Sequence, residues 1–232
     1  DGITSVAVLS NTLNKIGLDV QHYMPHRVRD GYGLNKDILE LTKKRKNKLL
    51  ITADCGTSSL SQIAQLNEHN IDTIVTDHHQ LHGVSLPPAQ AIINPKLKGS
   101  TYAYRDLAGV GVVYKLCQAI SGLALSEELD LVAIGTIADV VPLNGENRII
   151  VKEGLKAIPQ TKRPGLKALI ERSGIRTNKL TPTFISFILA PRLNAAGRLI
   201  HPIDSLRLLC TRDKDRGIKL AIDLAGINKD RQ

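Results

Sequence analysis

Acidic residues and a pair of histidines stand where two apolar segments end. Asp54 follows the run LLITA and precedes a glycine turn, and Asp77 follows IDTIVT and precedes His78 and His79. In a parallel sheet, ligands bind beyond the carboxyl ends of the strands, so these side chains would face one site. Carboxylates together with imidazoles form a ligand set suited to a divalent metal. The alternative for a lone Asp before glycine is a turn or helix-capping residue.

Two further acids are candidates for the same site. Asp1 is the first residue of the run DGITS, in which a glycine is followed by a predicted helix. In that position an acid would project from the carboxyl end of a preceding strand. Asp139 lies in GTIADVVPL, an apolar, helix-like run. A carboxylate buried in such a run must be paired, protonated or metal-bound. Exposure to solvent at a helix end is the alternative for Asp139.

The elements that must position these residues alternate in the first half of the chain. The predicted helices cover residues 3–15, 36–46 and 58–69, and the predicted strands cover residues 18–24, 49–54, 71–77 and 89–94. Near-continuous apolar strands that alternate with helices are typical of a parallel β-sheet with helices on both faces. The sequence therefore predicts an α/β fold.

Helical periodicity dominates from residue 106 onward. The predicted helices lie near residues 107–121, 126–138, 147–157, 165–173, 182–189 and 203–210, and an amphipathic helix runs from residue 213 to the end. We expect an α/β domain over residues 1–143 and a helical continuation over 144–210. Residues 211–232 would begin a long connecting helix to a further domain.

Composition limits the class of protein. No apolar stretch approaches the roughly 20 residues that a membrane-spanning helix needs. Three widely spaced cysteines fit a reducing compartment, so we expect a cytoplasmic protein without membrane contact.

The net charge of +9 favours a polyanionic partner such as nucleic acid. Aromatic residues make up only 3% of the chain, which leaves little material for base stacking, so contacts to the nucleic-acid backbone are expected.

Four short motifs give the chain a family resemblance. DGITS, ADCGT, DHH and ADVVPL occur in the order and approximate spacing of the DHH phosphoesterase superfamily. Five further segments resemble its single-strand-specific 5′-to-3′ DNA exonucleases: PHRVRDGYGL, INPK, LAGVGVVYKL, PRLNAAGRL and the closing INKDRQ. DHH alone is only three residues long, whereas four ordered motifs together with PRLNAAGR are specific. The resemblance covers the chain essentially from end to end.

The resemblance implies roles for individual residues. Four side chains would ligate metal: Asp1, Asp54, His78 and Asp139. Asp54 would bridge two ions of Mn²⁺ or Mg²⁺. Asp77 would orient an imidazole as a hydrogen-bond acceptor, and His79 would face the scissile phosphate. Four more residues would contact the 5′-phosphate or the DNA backbone: Arg27, Arg192, Asn194 and Arg198. The alternative for any single arginine among them is a surface salt bridge.

The implied activity is two-metal hydrolysis of single-stranded DNA from its 5′ end, which releases 5′-mononucleotides in DNA repair and recombination. A single-strand-binding protein and a helicase are the implied protein partners. The alternatives are a phosphodiesterase of the superfamily that acts on short oligonucleotides or small phosphoesters, and a non-catalytic scaffold with the same fold. Of the family's first motif, D-x-D-x-D-G, this chain keeps only Asp1 of the acids. We therefore expect weak metal binding and little nuclease activity from this chain alone.

Two other features have simpler interpretations. Cys55 lacks a neighbouring activating pair, so a covalent nucleophile is not expected there. The basic run over residues 43–48 falls at a predicted helix C-terminus, where the helix dipole favours cations. We interpret that run as a solvated helix end and not as a nucleic-acid site.

Overall fold

A computed structural model describes residues 1–25, 31, 33–35, 37–81, 85–174, 180–199 and 202–229. The side chains of residues 195–199 and 227–229 are outside this description. Two of the predicted DNA contacts, Arg27 and the Arg198 side chain, therefore lie outside the described residues, as does the end of the INKDRQ segment.

Three short apolar strands form one parallel sheet in the order β1-β2-β3. They are β1 (Leu49–Ala53), β2 (Asp72–Thr76) and β3 (Ala91–Ile93). Ile51 pairs with Ile74 between the first two strands, and Thr76 pairs with Ile93 between the second and third. Because all three strands run in the same direction, Asp54 and Asp77 follow their strands at the same edge of the sheet. The predicted parallel sheet is confirmed.

Helices make up most of the remaining described structure. They are α1 (Gly2–Lys15), α2 (Asp37–Arg45), α3 (Leu60–Glu68), α4 (Gly109–Ser121), α5 (Leu129–Ala138), α6 (Gly145–Ala157), α7 (Pro164–Arg172), α8 (Ala190–Leu199), α9 (Ile203–Cys210) and α10 (Lys214–Lys229). The turn Pro182–Phe184 and the π-helical segment Ile185–Leu189 lead into α8 without a break. The predicted helical second half is thus confirmed. Among the described helices, none is both long and apolar enough to cross a bilayer.

Helices cover both faces of the sheet. Side chains of Ile51, Ala53 and Ile93 pack on the main core, to which α1 and α4 contribute. On the opposite face α3 packs against β2, and its Ile63 and Leu66 are buried outside that main core. Strand side chains alternate between the two faces, which explains why both faces of this small sheet are covered.

Helix α5 lies at the centre of the helical part. All of its residues from 130 to 137 are buried, as expected for a helix that is apolar on every side. It packs against α6, α1 and α4. A Cβ atom on Gly154 of α6 would lie 2.2 Å from the Cβ of Ala133, so glycine is what lets the two helices approach so closely. The central position of α5 fixes Asp139, the residue directly after it.

A buried ionic network holds the first turn of α5. The Arg163 side chain, 14% exposed, lies 2.7 Å from Glu128 and 3.2 Å from Asp130. The Thr161 hydroxyl donates a hydrogen bond of 2.6 Å to Asp130. Arg163 also donates to the Leu209 carbonyl at the end of α9, at 3.5 Å. The network therefore ties α5 to the start of α7 and to α9.

One predicted strand is wrong. Residues 18–25 form no regular secondary structure, although the sequence predicts a strand over 18–24. Within the described part of the chain, β1, β2 and β3 pair only with one another. Val20 and Met24 instead pack against the main core without strand pairing. Alternating apolar residues indicate burial on one side, but a strand also requires a neighbour for its hydrogen bonds.

Candidate metal centre

The turn after β1 presents Asp54 at the carboxyl edge of the sheet. Asp54 is buried and has φ of 61°, a left-handed conformation that Asp tolerates better than most residues. The Thr52 hydroxyl donates to the Cys55 carbonyl at 2.6 Å and closes the turn. Gly56 has φ of 114°, and a Cβ there would lie 2.8 Å from Thr52 Oγ1. The turn that carries Asp54 therefore depends on glycine at position 56.

The segment after β2 is organised around Asp77. Its Oδ1 accepts hydrogen bonds from the backbone N–H groups of His78 (2.8 Å) and His79 (3.1 Å) and lies 2.6 Å from His79 Nδ1. Its Oδ2 accepts from the Thr57 N–H at 2.9 Å. Burial alone would raise the pKa of Asp77, but the hydrogen bonds from His79 and Thr57 outweigh it and hold that pKa at about 2. Asp77 is therefore a buried carboxylate that keeps its charge.

Three carboxylates converge on His78. Its Nε2 lies 3.2 Å from Asp54 Oδ1, 3.5 Å from Asp139 Oδ2 and 3.7 Å from Asp1 Oδ2. The His78 side chain is 6% exposed. Both of its ring nitrogens are buried, and neither makes a hydrogen bond to any group in the described ranges. The four residues that the resemblance implies as ligands thus lie together around one imidazole nitrogen.

Asp1 reaches this cluster from the start of α1. Its carboxylate accepts hydrogen bonds from the backbone N–H groups of Gly109 (2.6 Å) and Val110 (2.8 Å), the first residues of α4. The N-terminus of a helix stabilises negative charge through its free N–H groups and its dipole. Asp1 is therefore anchored to α4 while facing His78.

Asp139 follows α5 and is half-buried. Burial raises the pKa of Asp139, and the nearby His78 partly offsets that rise. Val140 has φ of 61°, which is a genuine outlier for a β-branched residue. The buried Asn147 side chain holds the loop after it by donating to the Pro142 carbonyl (3.0 Å) and to the Asp106 carbonyl (2.6 Å). Backbone strain at Val140 thus accompanies the placement of Asp139.

The cluster fits a divalent cation. Adjacent ligands of an octahedral ion at about 2.1 Å lie about 3 Å apart, close to the separations between His78 and its neighbouring carboxylates. A buried imidazole nitrogen that faces carboxylates without a hydrogen bond has the disposition of a metal ligand. Oxygen and imidazole donors suit Mn²⁺ and Mg²⁺.

His79 stands beside the cluster and is partly open to solvent. One ring nitrogen lies within 4.8 Å of ligand atoms of Asp54 and His78. Its imidazole is edge-on to that of His78, with ring centroids 4.6 Å apart. The hydrogen bond to Asp77 is the main cause that raises the pKa of His79. The imidazole that Asp77 orients is therefore that of His79, while His78 receives only a backbone contact from Asp77.

Two of the predicted DNA contacts lie in the described structure. Arg192 on α8 is half-buried and donates to the Ile188 carbonyl at 2.6 Å. Asn194 is exposed and lines a cavity of about 510 Å³ together with Asp1 and Asp54. Asn194 thus lines the same cavity as two of the acids.

Sequence reasoning assigned no role to three residues that shape the site. A Cβ on Gly109 would lie 2.5 Å from Asp54 Oδ1, so only glycine leaves room for that carboxylate. Thr57 donates its N–H to Asp77, and Asn94 donates to Thr57. Gly109 lies in LAGVGVVYKL, Asn94 in INPK and Thr57 in ADCGT, so the motifs that carry the resemblance contain all three positions.

The fold and the site define a class: an α/β protein with a cluster of carboxylates and imidazole at the carboxyl edge of a parallel sheet. Residues 1–136 match the DHH family, N-terminal domain. The chain belongs to the DHH family.

Relatives and solved structures extend the similarity over the whole chain. The single-stranded-DNA-specific exonuclease RecJ of Bacillus subtilis (strain 168) is 42% identical over 232 residues, which is 100% of this chain and 29% of that relative. A crystal structure of exonuclease RecJ bound to manganese is 36% identical with a TM-score of 0.89, over 99% of this chain and 59% of that one.

RecJ from Thermus thermophilus is similar in two solved complexes. The complex with Mn²⁺ has a TM-score of 0.84 at 35% identity, over 100% of this chain and 34% of that one. The complex with Mg²⁺ has a TM-score of 0.72 at 32% identity, over 100% of this chain and 30% of that one. The chain therefore spans less than two thirds of each of these proteins.

Proposed function

We propose that this chain carries the metal-dependent phosphodiesterase centre of a 5′-to-3′ exonuclease specific for single-stranded DNA. The observation that carries the proposal is the convergence of three carboxylates on the buried Nε2 of His78. The similarity to RecJ exonucleases along the entire chain supports the choice of substrate. The solved complexes of such relatives with Mn²⁺ and Mg²⁺ support the choice of metal.

In this proposal four residues hold two divalent ions: Asp1, Asp54, His78 and Asp139. When bound, such ions lower the pKa of a water molecule and offset the charge of the phosphate and the leaving oxygen. The chain itself keeps the carboxylates in place. The α4 N-terminus holds Asp1, the turn after β1 holds Asp54, and the end of α5 holds Asp139.

His79 acts on the substrate beside the metal ligands. Asp77 binds Nδ1 of its imidazole, which fixes the orientation of the ring and favours its protonated form. A fixed, protonated imidazole can donate a hydrogen bond to a phosphate oxygen as charge develops there. His79 is therefore the candidate that contacts the scissile phosphate.

No side-chain nucleophile takes part in the proposed reaction. Cys55 follows Asp54 directly, but burial, aided by the nearby charges of Asp77 and Asp54, raises the pKa of its thiol to about 12. Such a thiol holds almost no thiolate at neutral pH. Water is accordingly the nucleophile.

The remaining assignments complete the proposal. Arg192 and Asn194, with Arg27 and Arg198, would contact the 5′-phosphate and the DNA backbone. The catalytic α/β part would cover residues 1–143, followed by the helical part 144–210 and the connecting helix 211–232. Cytoplasmic location, a role in repair and recombination, and partnership with a single-strand-binding protein and a helicase follow from the resemblance. A non-catalytic scaffold is disfavoured, because clustered buried carboxylates are costly without a cation.

The test compares metal binding and hydrolysis in the intact protein. Asp54→Asn preserves the shape of the side chain, and we expect it to lower Mn²⁺ affinity at least about 100-fold and to abolish nucleotide release from 5′-phosphorylated single-stranded DNA. Asp72→Asn, an exposed acid on β2, is the matched control and should change neither. Titration calorimetry measures the affinity.

A series of substrate lengths separates this function from its rivals. Strands of about 20 nucleotides should be degraded faster than dinucleotides, and duplexes should resist. Preference for dinucleotides would instead indicate the small-phosphoester activity. An intact protein without substitutions that neither binds Mn²⁺ nor releases nucleotides would contradict the proposal as a whole.

A further inference from the structure

A buried asparagine lies behind the histidine pair. Asn94, 6% exposed, directly follows β3. Its Nδ2 donates to Thr57 Oγ1 at 3.0 Å and to the His79 carbonyl at 2.9 Å. Its Oδ1 accepts from the Lys96 N–H at 2.9 Å. The amide thus uses both of its donors and its acceptor to join three separate segments.

Thr57 extends this contact toward Asp77. It is fully buried, and its N–H donates to Asp77 Oδ2 at 2.9 Å. Its hydroxyl accepts the hydrogen bond from the Asn94 amide. Thr57 therefore links the Asn94 amide, which binds its side chain, to the Asp77 carboxylate, which binds its backbone N–H.

Both hydrogen bonds that Asn94 donates lead to His79. One reaches the His79 carbonyl directly and fixes its backbone. The other passes through Thr57 to Asp77, whose Oδ1 lies 2.6 Å from Nδ1 of the His79 ring. Backbone and ring of the same residue are therefore held from one side by a single buried pair, Asn94 and Thr57.

We propose that Asn94 and Thr57 form a positioning pair that sets the orientation of the His79 imidazole toward the reacting phosphate. The proposal rests on the proposed function, since it assumes that His79 contacts substrate. Fully satisfied, buried hydrogen-bond networks lock a side chain in one rotamer. The hydrogen-bonding groups of Asn94 are occupied by Thr57, His79 and Lys96, so the pair should act through His79 and not through the metal ligands.

The decisive experiment is a double-mutant cycle in the intact protein with single-stranded DNA and Mn²⁺. Asn94→Ala should lower kcat about 10- to 100-fold, as is typical for residues that orient a functional group, while KM and the Mn²⁺ concentration for half-saturation stay unchanged. His79→Ala should lower kcat by about 10²- to 10⁴-fold. In the His79→Ala background, Asn94→Ala should cost nothing further, because its effect is transmitted through His79.

A matched control tests for general damage to the fold. Asn11 on α1 also donates a side-chain hydrogen bond to a residue of another segment, Glu128, at 3.2 Å. It takes no part in the hydrogen bonds of Asn94 and Thr57. Asn11→Ala should leave kcat within about twofold of the native value.

Three results would overturn the positioning role: unchanged kcat in Asn94→Ala, a full further loss in the His79→Ala background, or a matching rise in the Mn²⁺ requirement. Absence of any hydrolysis in the native protein would instead refute the proposed function, so the two failures are distinguishable. If Asn94→Ala does not fold, Thr57→Val decides the question by the same three criteria. This change replaces the hydroxyl with a methyl group of similar size and keeps the Thr57 N–H bond to Asp77.

Discussion

At the scale of single residues, Asp77 has the most demanding environment of the site. It is 2% exposed, and its two oxygens accept from three backbone N–H groups and one ring nitrogen. Such a set of donors favours the charged carboxylate and replaces its lost hydration. The same hydrogen bonds from His78 and His79 that keep Asp77 charged therefore contribute to the free energy of folding.

This linkage predicts a pH-dependent stability. The folded-state pKa of about 2 lies below the ordinary value of 3.8, so as pH falls the unfolded chain takes up the proton first. The stabilisation by Asp77, about 2 kcal/mol, is present above about pH 4 and is lost as the pH falls toward 2. Urea unfolding in the presence of a chelator should show that the difference between native protein and Asp77→Asn shrinks below pH 4.

The exposed acid Asp72 provides the control for this measurement. Asp72→Asn should change the free energy of unfolding by no more than about 0.5 kcal/mol. A difference between native protein and Asp77→Asn that stays constant from pH 6 to pH 3 would show that Asp77 is not held charged in the folded state.

The sequence predicted much of the site at this scale, and the reason is local. Asp54 and Asp77 end apolar strands, and parallel strand ends share an edge. Asp1 and Asp139 were suggested by their neighbours in DGITS and in an apolar run. Thr57 and Asn94 lie in the motifs ADCGT and INPK, but their residue types predict no role there, because a buried threonine or asparagine near a strand end looks like any turn residue. Their roles depend on contacts between segments distant in sequence.

At the scale of secondary-structure elements, α4 determines how close Asp54 and Asp1 can lie. Its first residue is Gly109, and an added Cβ there would lie 2.5 Å from Asp54 Oδ1 and 2.8 Å from Asp54 Cβ. The same residue donates its N–H to Asp1. The start of this helix therefore serves two carboxylates at once.

We predict that Gly109→Ala weakens Mn²⁺ binding about 10- to 100-fold, because either Asp54 or the start of α4 must move. Gly226→Ala on α10 is the matched control, since its Cβ would meet nothing within 4 Å. This control should leave Mn²⁺ affinity unchanged and raise the free energy of unfolding by about 0.5–1 kcal/mol. Equal Mn²⁺ affinity in Gly109→Ala and native protein, by calorimetry, would refute the close packing.

The basic end of α2 provides a second prediction at this scale. Lys43 and Lys44 lie in the last turn of the helix, and Lys43 is 3.6 Å from Glu40. Changing both to Glu should leave DNA affinity within about twofold and cost about 0.3–1 kcal/mol of stability for each charge through the helix dipole. Fluorescence anisotropy with labelled single-stranded DNA measures the affinity.

Arg192→Gln is the comparison for this pair, since loss of the phosphate contact proposed for Arg192 should weaken binding and reduce its salt dependence. A large loss of affinity in the Lys43 and Lys44 variant would instead make the end of α2 part of the DNA surface.

Element prediction succeeded for the apolar strands and failed where strand pairing or a wider helical turn decided the structure. The strands near residues 49–54 and 71–77 are apolar runs and occur nearly as predicted. The segment 18–24 has a similar apolar content but lacks a neighbouring strand within the described ranges. The helix predicted over residues 182–189 is α-helical only over Pro182–Phe184, because five residues form a π-helical segment. Sequence periodicity of 3.6 does not reveal this change.

At the scale of the whole molecule, the helical part is organised around α5 and its ionic anchor. Arg163 joins Glu128 and Asp130 beneath the first turn of α5, while Asp139 stands at the other end of the same helix. The sequence predicted the α/β class and the helical continuation, since both follow from local patterns. It could not identify α5 as the central helix, because burial on all sides depends on which helices surround it.

Loss of this anchor should destabilise the fold strongly. Arg163→Met leaves Glu128 and Asp130 buried without their cation, which typically costs about 3–5 kcal/mol. Arg207→Met, which removes an exposed ion pair with Asp204 at 2.9 Å, should cost less than about 1 kcal/mol. Urea unfolding monitored by circular dichroism measures both. A cost below about 1 kcal/mol for Arg163→Met would mean that the network does not hold α5.

The π-helical segment Ile185–Leu189 affects the direction in which the side chains of the following helix, α8, point around the helix axis. Compared with an α-helix, each such turn accommodates roughly one surplus residue, equivalent to about 100° of rotation. Straightening the segment into an α-helix of the same five residues would rotate Arg192 and Asn194 around the helix axis by about that angle. Deleting one residue there would instead give an uninterrupted α-helix and leave both side chains close to their present directions. The wider turn thus keeps α8 in phase with the chain before it in spite of the surplus residue.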